Sequence, residues 1–414
     1  MARNYRTRPF PTATRSAGEA YRVTVETTAM AIGGAAVARG ADGRVVFVEG
    51  ALPGETVTVA VDEERPRFVR GAVVEVLGAS SARVVPPCPH VAEGCGGCGW
   101  QHVAPDEQVR LKVAMVGEAL VRLGRQDAPV VRAGEGTGSF GYRTTVRVGV
   151  LPGPGGGRAG FRASRSHRLV DAGGCLTAHP RLARALGSSD LGRAERAVLR
   201  VGARTGEGVA LLGPSARGAL VTEGLVTVGE DELGKGPGPA YHEVVAGRRL
   251  RISARSFFQA SPQGAEALVR AVGRALTGAG QGALVDAYAG VGLFASALGW
   301  EGEVVAVESS PSSAADARAN LAGAEVVDCR VEHWAPRPAV AVVADPPRSG
   351  LGRAGVEVLA ATGAPCLVLV SCDAASLGRD AALAQAAGFR LEESVVMDMF
   401  PGTPHVEVVS RFTR

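Results

Sequence analysis

Four short apolar runs in the last third of the chain constrain its fold more than any other feature. They are ALVDA around Asp286, VVAVE ending at Glu308, AVAVVAD ending at Asp345, and CLVLVS leading into Cys372, with helical stretches between them. Continuous apolar strands are buried on both faces, and strands alternating with helices build a parallel, doubly wound α/β sheet. Such a sheet delivers every strand's carboxyl end to one edge, where ligands bind. Asp286, Glu308, Asp345 and Cys372 are therefore expected on a single rim although they are far apart in sequence.

The upstream chain has a different texture. From Tyr21 to about Gly78 the runs YRVTVET, RVVFVEG, ETVTVAV and GAVVEVL alternate with turns such as Leu52-Pro53-Gly54. Brief strands at this spacing predict a small OB-like β-barrel. Arg65, Arg67 and Arg70 share one connecting stretch, which suits either oligonucleotide binding or a solvated charged surface. Residues 1–18 read as a basic, disordered tail. The expected domains are thus a barrel over 19–79, a central mixed α+β domain over 80–255, and an α/β domain over 256–414. A helix is expected within 105–124, with Val109, Val113, Val116 and Leu120 at helical spacing.

A chain of 414 residues suggests two to three domains, and its net charge of +4 is mild. Lys112 and Lys235 are the only lysines, so 43 of the 45 basic residues are arginine (45 − 2). That excess suits phosphate recognition and equally a GC-rich genome. No apolar run approaches the ~20 residues of a membrane span. The first twenty residues carry four arginines and no apolar core, so no signal peptide is expected and the reading is a cytoplasmic protein. Seven cysteines, an odd number, point to metal or catalysis rather than a disulfide framework.

The strand holding Asp286 runs into Ala287-Tyr288-Ala289-Gly290-Val291-Gly292-Leu293. Such a turn lets backbone approach a nucleoside cofactor, with Glu308 placed for ribose hydroxyls. Its spacing does not separate S-adenosylmethionine from a dinucleotide. Asp345-Pro346-Pro347-Arg348 holds a carboxylate and a guanidinium stiffly. Cys372, at the mouth of its strand, is a candidate nucleophile. A thiolate added to carbon 6 of a uracil makes carbon 5 nucleophilic, after which a base must remove the carbon-5 proton. Asp398, His405 and Glu407 compete for that second role. Separately, Cys88, Cys95 and Cys98 share one glycine-rich loop, with Cys175 the natural fourth ligand. Four thiolates favour an iron–sulfur cluster over an all-thiolate zinc site, because only one C-x2-C pair is present.

These motifs occur in a fixed order: Cys88-Pro89-His90, Cys95-Gly96-Gly97-Cys98-Gly99-Trp100-Gln101-His102, Ser256-Phe257-Phe258-Gln259, Asp345-Pro346-Pro347-Arg348, Ser371-Cys372-Asp373, and Asp398-Met399-Phe400-Pro401 through His405-Val406-Glu407. Over about residues 20–414 the chain resembles the bacterial RNA 5-methyluridine methyltransferases, in particular the 23S rRNA branch with a TRAM domain and a [4Fe-4S] cluster. The resemblance implies Cys372 as nucleophile and Glu407 as proton acceptor. It implies Cys88, Cys95, Cys98 and Cys175 as cluster ligands. Gln259, Tyr288, Gly290, Gly292, Glu308 and Asp345 would contact S-adenosylmethionine or the target base, and Phe257 would stack near that base. Asp373 stands where family members often carry Asn, and Ser261 replaces a usual asparagine. Leu293 and Arg330 occupy places where polar cofactor contacts are expected. The implied function is uracil C5-methylation of structured RNA by a monomer, on 23S rRNA or alternatively on the tRNA T-loop. A noncatalytic iron–sulfur RNA-binding or redox-sensing protein is the reading of a different class, and a small-molecule methyltransferase leaves the barrel without a purpose.

Overall fold

A computed structural model describes residues 21–153, 156–234, 236 and 238–414, so the expected tail over 1–18 lies outside the described residues. The chain divides into two compact units. The first comprises the chain up to Met115 with Phe161–Asp171 and Phe400–His405; the second comprises Val116–Gly160, Ala172–Met399 and Val406–Arg414.

In the first unit β1 (Arg22–Met30), β2 (Ala36–Arg39), β3 (Val45–Glu49), β4 (Thr56–Glu64) and β5 (Phe68–Gly78) close into a barrel of order β1-β2-β3-β5-β4. Alternation drives the closure: Val46, Val48, Val57, Val59, Val61, Val69 and Val73 all point inward and are buried. Gly71 sits where β5 presses on β4, since a Cβ there would lie 2.2 Å from the Ala60 carbonyl oxygen. Below the barrel Glu55 is fully buried. It accepts from the Leu52 amide (2.8 Å), the Ser80 amide (3.1 Å), and Arg83 Nε and Nη2 (2.6 and 2.7 Å). Burial opposes its ionisation, but Arg83 and the two amides outweigh that and hold the carboxyl below its usual range.

The helix Pro105–Arg122 buries Gln108, Leu111, Lys112, Met115, Val116, Ala119 and Leu120. The stripe is therefore displaced from the expected one: Val116 and Leu120 belong to it, whereas Val109 and Val113 are only half-buried. Two polar residues, Gln108 and Lys112, occupy the inner face, which apolar periodicity could not reveal.

The second unit begins its sheets with β6 (Val131–Gly136), β7 (Thr145–Gly153) and β8 (Gly156–Arg162); β9 (Leu169–Asp171) lies in the first unit. Then come β10 (Arg196–Val201), β11 (Gly208–Gly213) and β12 (Val226–Gly229), which continue a mixed sheet in the order β12-β11-β10-β7-β8. A hairpin of β13 (Ala240–Val245) and β14 (Arg248–Ser253) follows. The remaining strands are β15 (Leu284–Ala287), β16 (Val304–Glu308), β17 (Glu325–Asp328), β18 (Ala341–Ala344), β19 (Cys366–Ser371), β20 (Arg390–Asp398) and β21 (Glu407–Thr413). With β6 they form an eight-stranded sheet of order β17-β16-β15-β18-β19-β21-β20-β6. Strands β15, β18 and β19 are buried at every residue, as a parallel sheet covered on both faces requires. The order turns outward in both directions from β15 and β18, so the ligand-binding crevice is expected at their carboxyl ends.

Replacing Glu55 by Gln leaves Arg83 buried without its countercharge. A loss of about 2–4 kcal/mol in unfolding free energy is expected, read by urea titration.

Candidate active site

Beyond β15 the backbone turns sharply, and each piece of that turn has a local cause. Tyr288 is held at φ +59°, a left-handed conformation that costs a non-glycine residue energy. Its hydroxyl donates to Glu332 Oε1 at 2.8 Å, and burial followed by that carboxylate pushes the phenol above its usual range. Gly292 at φ +85° opens the helix Leu293–Ala297, and a Cβ there would lie 2.9 Å from Leu321. Gly290 at φ +58° has open space where its Cβ would be. Glu308, at the end of β16, accepts from the Gly290 amide (2.8 Å) and the Ser310 amide (2.6 Å), leaving further lone pairs on each oxygen. Asp286 is fully buried: Oδ2 accepts from the Ala295 amide at 3.0 Å, and Oδ1 has no hydrogen-bond partner among the described residues. Burial pushes its carboxyl up to about 7, and Glu308 adds to that.

The side chains named around this turn, Asp286, Glu308 and Glu332, are all acidic. That suits a cofactor with cationic groups, as S-adenosylmethionine has, and opposes a pyrophosphate. An orphaned buried carboxyl oxygen at the end of β15, and open space at Gly290 in the turn that follows, are a fit for such a cofactor.

Two strands further along, register brings the chemistry together. Strand β19 is parallel to β18 and runs toward the rim, whereas β21 is antiparallel to β19 and starts there. Ser371 pairs with Val408, so the ladder continued by one residue sets Cys372 opposite Glu407. Asp345 follows the end of β18 and accepts from Gln259 Nε2 at 3.5 Å. Gln259 itself is buried, while Phe257 two residues earlier is 61% exposed, available for contact with a large partner. The segment bearing both is anchored by fully buried Asp316, which accepts from the Ser253 amide (2.7 Å), the Ser253 hydroxyl (2.7 Å) and the Ser256 hydroxyl (2.5 Å), and pairs with Arg251.

Electrostatics at this rim disfavours charge. Burial, then Glu407 and Asp345, pushes the Cys372 thiol up to about 11, with Arg348 opposing. Burial followed by Asp345 raises Glu407 well above the usual carboxylate range, and burial followed by Asp286 raises Asp345. Of the three candidate bases, Glu407 is buried and felt by Cys372. His405 is exposed and lies in the first unit, its ring edge-on to Phe400 at 6.1 Å. Asp398 ends β20, where its carbonyl accepts from the Thr137 amide at 2.9 Å.

Known proteins resemble this chain in sequence and in fold. Residues 15–74 match the TRAM domain family. An RNA methyltransferase of uncharacterised specificity from Streptomyces avermitilis is 36% identical, over 95% of this chain and 98% of its own. The 23S rRNA (uracil(1939)-C(5))-methyltransferase RlmD of Halomonas elongata is 34% identical, over 95% of this chain and 90% of its own. The chain belongs to the RNA 5-methyluridine methyltransferase family. Its fold is shared by the Pyrococcus abyssi tRNA (uracil-54, C5)-methyltransferase, solved with S-adenosyl-L-homocysteine, at a TM-score of 0.70 and 23% identity over 94% of this chain and 99% of that one.

Two departures from the family pattern have structural reasons. Asp373 caps the helix Ala374–Ala386 by accepting from the Ser376 amide at 2.8 Å, and Ser261 caps the helix Pro262–Ala275 through the Gly264 amide at 3.2 Å. Both are strong N-cap residues. Leu293 is buried in the first turn after Gly292.

The cysteines expected to hold the family's cluster fall in both units. Cys88, Cys95 and Cys98 are in the first, with Cys88 Sγ 3.6 Å from His90 Nδ1. Gly96 lets that loop lie close to its neighbour, since a Cβ there would come 2.9 Å from the Ser164 amide nitrogen. Cys175 is in the second unit, its Sγ 3.4 Å from the Thr177 hydroxyl. Among the described residues no group of three or more His, Cys, Asp or Glu side chains is arranged to hold a metal ion. No step below passes through a cluster. Sequence motifs had not singled out Glu332 or Asp316, which act by fixing Tyr288 and the Ser256–Gln259 segment.

The raised thiol gives a direct test. Iodoacetamide labelling of Cys372, mapped by peptide mass, is expected to keep rising past pH ~10, where an ordinary thiol of pKa ~8.5 has levelled off. Glu407→Gln removes a charge that raises the thiol and should speed labelling at pH 8. Arg348→Ala removes one that lowers it and should slow labelling. Each change is expected to be about threefold or more, half a pKa unit being a modest effect for an adjacent charge.

Proposed function

We propose that this protein methylates carbon 5 of a uridine in RNA, using S-adenosylmethionine and a transient bond between Cys372 and carbon 6 of the base. The observation that supports the reading is the register of β19 and β21: Ser371 pairs with Val408, so the next residues along the ladder are Cys372 and the buried Glu407, which raises the thiol's pKa. S-adenosylmethionine, when bound, supplies an electrophilic methyl group. The chain's own residues do the rest.

Cys372 loses its proton to solvent and adds to carbon 6; the C5–C6 π electrons move toward the carbonyl oxygen at carbon 4. Asp345 and Gln259 lie where they can hold the uracil edge and the developing negative charge. Carbon 5 then takes the methyl group. Glu407 accepts the carbon-5 proton, that C–H pair rebuilds the C5–C6 double bond, and the C6–S bond breaks to return the thiolate. A carboxyl raised by burial is a better proton acceptor than an ordinary one, and a thiol raised by the same burial is a stronger nucleophile once ionised. Asp286, Tyr288, Gly290, Gly292 and Glu308 hold the cofactor, and Phe257 stacks on the splayed uridine or its neighbour.

The relative that acts on 23S rRNA aligns along nearly the whole chain, TRAM domain included, which favours rRNA as substrate; tRNA is the second reading. Donor chemistry supports a [4Fe-4S] cluster on Cys88, Cys95, Cys98 and Cys175, with a structural rather than catalytic part. Iron and sulfide analysis of protein purified without oxygen tests it: about four of each per chain is expected for such a cluster, and none would remove it. We take the enzyme to act as a cytoplasmic monomer.

Purified protein with labelled methyl donor should yield 5-methyluridine in unmodified 23S rRNA transcripts. Cys372→Ala should abolish turnover, with a loss of at least ~10³-fold, while cofactor affinity stays within about threefold of wild type. Product appearing in tRNA alone would move the assignment to the second reading, and wild-type turnover by Cys372→Ala would end it.

A further inference from the structure

The residues that carry Glu407 into place are held by an unusual clamp. Between Met399 and Val406 the chain leaves the second unit, and Phe400–His405 packs as part of the first. Every polar backbone group of Gly402, at the centre of that turn, is bonded. Its amide donates to Gln108 Oε1 at 2.6 Å, and its carbonyl accepts from the Trp100 amide at 2.8 Å. The Phe400 carbonyl accepts from Lys112 Nζ at 3.1 Å and from the Thr403 hydroxyl at 2.8 Å. Gln108 is fixed in turn, its Nε2 donating to the Val103 carbonyl at 2.8 Å. On the other side Trp100 Nε1 donates to the Gly34 carbonyl at 3.0 Å, and a Cβ on Gly34 would come 2.3 Å from Pro404 Cβ.

The cost of this arrangement points to a purpose. Lys112 is fully buried, a rare state for lysine, and it is one of only two lysines in the chain. It shares the buried stripe of its helix with Gln108 one turn earlier, and both side chains reach the same six-residue turn. A merely cohesive helix face would be apolar at these positions, as Leu111 and Met115 beside them are.

We propose that Gln108 and Lys112 are positioning residues for the general base: they fix the turn that leads into β21 and so keep its first residue, Glu407, from fraying out of the paired position. The inference rests on Glu407 being that base. Glu407 is the first residue of β21, paired with Met397, and Val408 pairs with Ser371. Side chains alternate along a strand, so a one-residue slip at its start turns Glu407 away from Cys372 altogether. Pairing holds the register along the strand, but its first residue frays most easily, and the clamp grips Gly402 and Phe400 in the turn just upstream of it.

The consequence is specific to one step. Addition of Cys372 and methyl transfer do not need the base; removal of the carbon-5 proton and rupture of the C6–S bond do. Lys112→Met and Gln108→Leu keep side-chain size while removing the polar ends. Each is expected to transfer methyl in a first turnover yet release product about tenfold or more slowly, within the usual contribution of a general base. A denaturation-resistant protein–RNA band should accumulate on ordinary uridine RNA with methyl donor, and cofactor affinity should be unchanged. Glu407→Gln run alongside separates the two ideas. If it releases product at the wild-type rate, the base assignment falls and this proposal with it. If it accumulates the band while both clamp variants release normally, the clamp alone is refuted. Equal slowing of methyl transfer and release, or loss of cofactor binding in both variants, would make Gln108 and Lys112 structural residues only and would likewise overturn the proposal.

Discussion

Everything in the catalytic sheet depends on one antiparallel strand entering an otherwise parallel run. Because β21 runs against β19, its first residue meets the last residues of β19 at the same edge. A parallel strand in that position would have brought its carboxyl end instead, and Glu407 would sit at the opposite edge of the sheet. The parallel neighbours supply Asp286, Glu308 and Asp345 to the rim by the ordinary rule of doubly wound sheets. The antiparallel one supplies the group that faces the thiol.

Burial then decides how those groups behave. Three carboxyls and a thiol in one low-dielectric rim cannot all be ionised, and each is pushed toward its neutral form. Arg348 works against that trend for both Cys372 and Glu407. With its pKa pushed up to about 11, the half-buried Cys372 rests as the thiol near neutral pH. The proposed mechanism therefore requires substrate binding and Arg348 together to favour the thiolate.

Much of this was legible in the sequence, for physical reasons. Strands β15, β18 and β19 are visible because complete burial demands apolar runs, and the barrel strands because one-sided burial demands alternation. The rim residues followed from strand polarity alone. Strand polarity left the choice among Asp398, His405 and Glu407 open, because all three occur within one polar, proline-flanked stretch; the family resemblance pointed to Glu407, which the pairing register puts next to the end of β19. Gln108 and Lys112 were invisible for a related reason: a buried polar face looks like an exposed one until its partners, nearly three hundred residues away, are known. The buried stripe of that helix was consequently read from Val109 and Val113 instead. The cysteine loop is the reverse case, a clear pattern in sequence whose side chains form no metal-holding group among the described residues.

The most direct measurement is a crosslinking experiment with RNA in which uridine is replaced by 5-fluorouridine, since fluorine at carbon 5 cannot be removed as a proton and the adduct cannot resolve. In the presence of methyl donor, a stoichiometric covalent complex is expected, with the modified peptide carrying the nucleotide on Cys372. Absence of any donor-dependent complex, or attachment at another residue, would contradict the account at its centre.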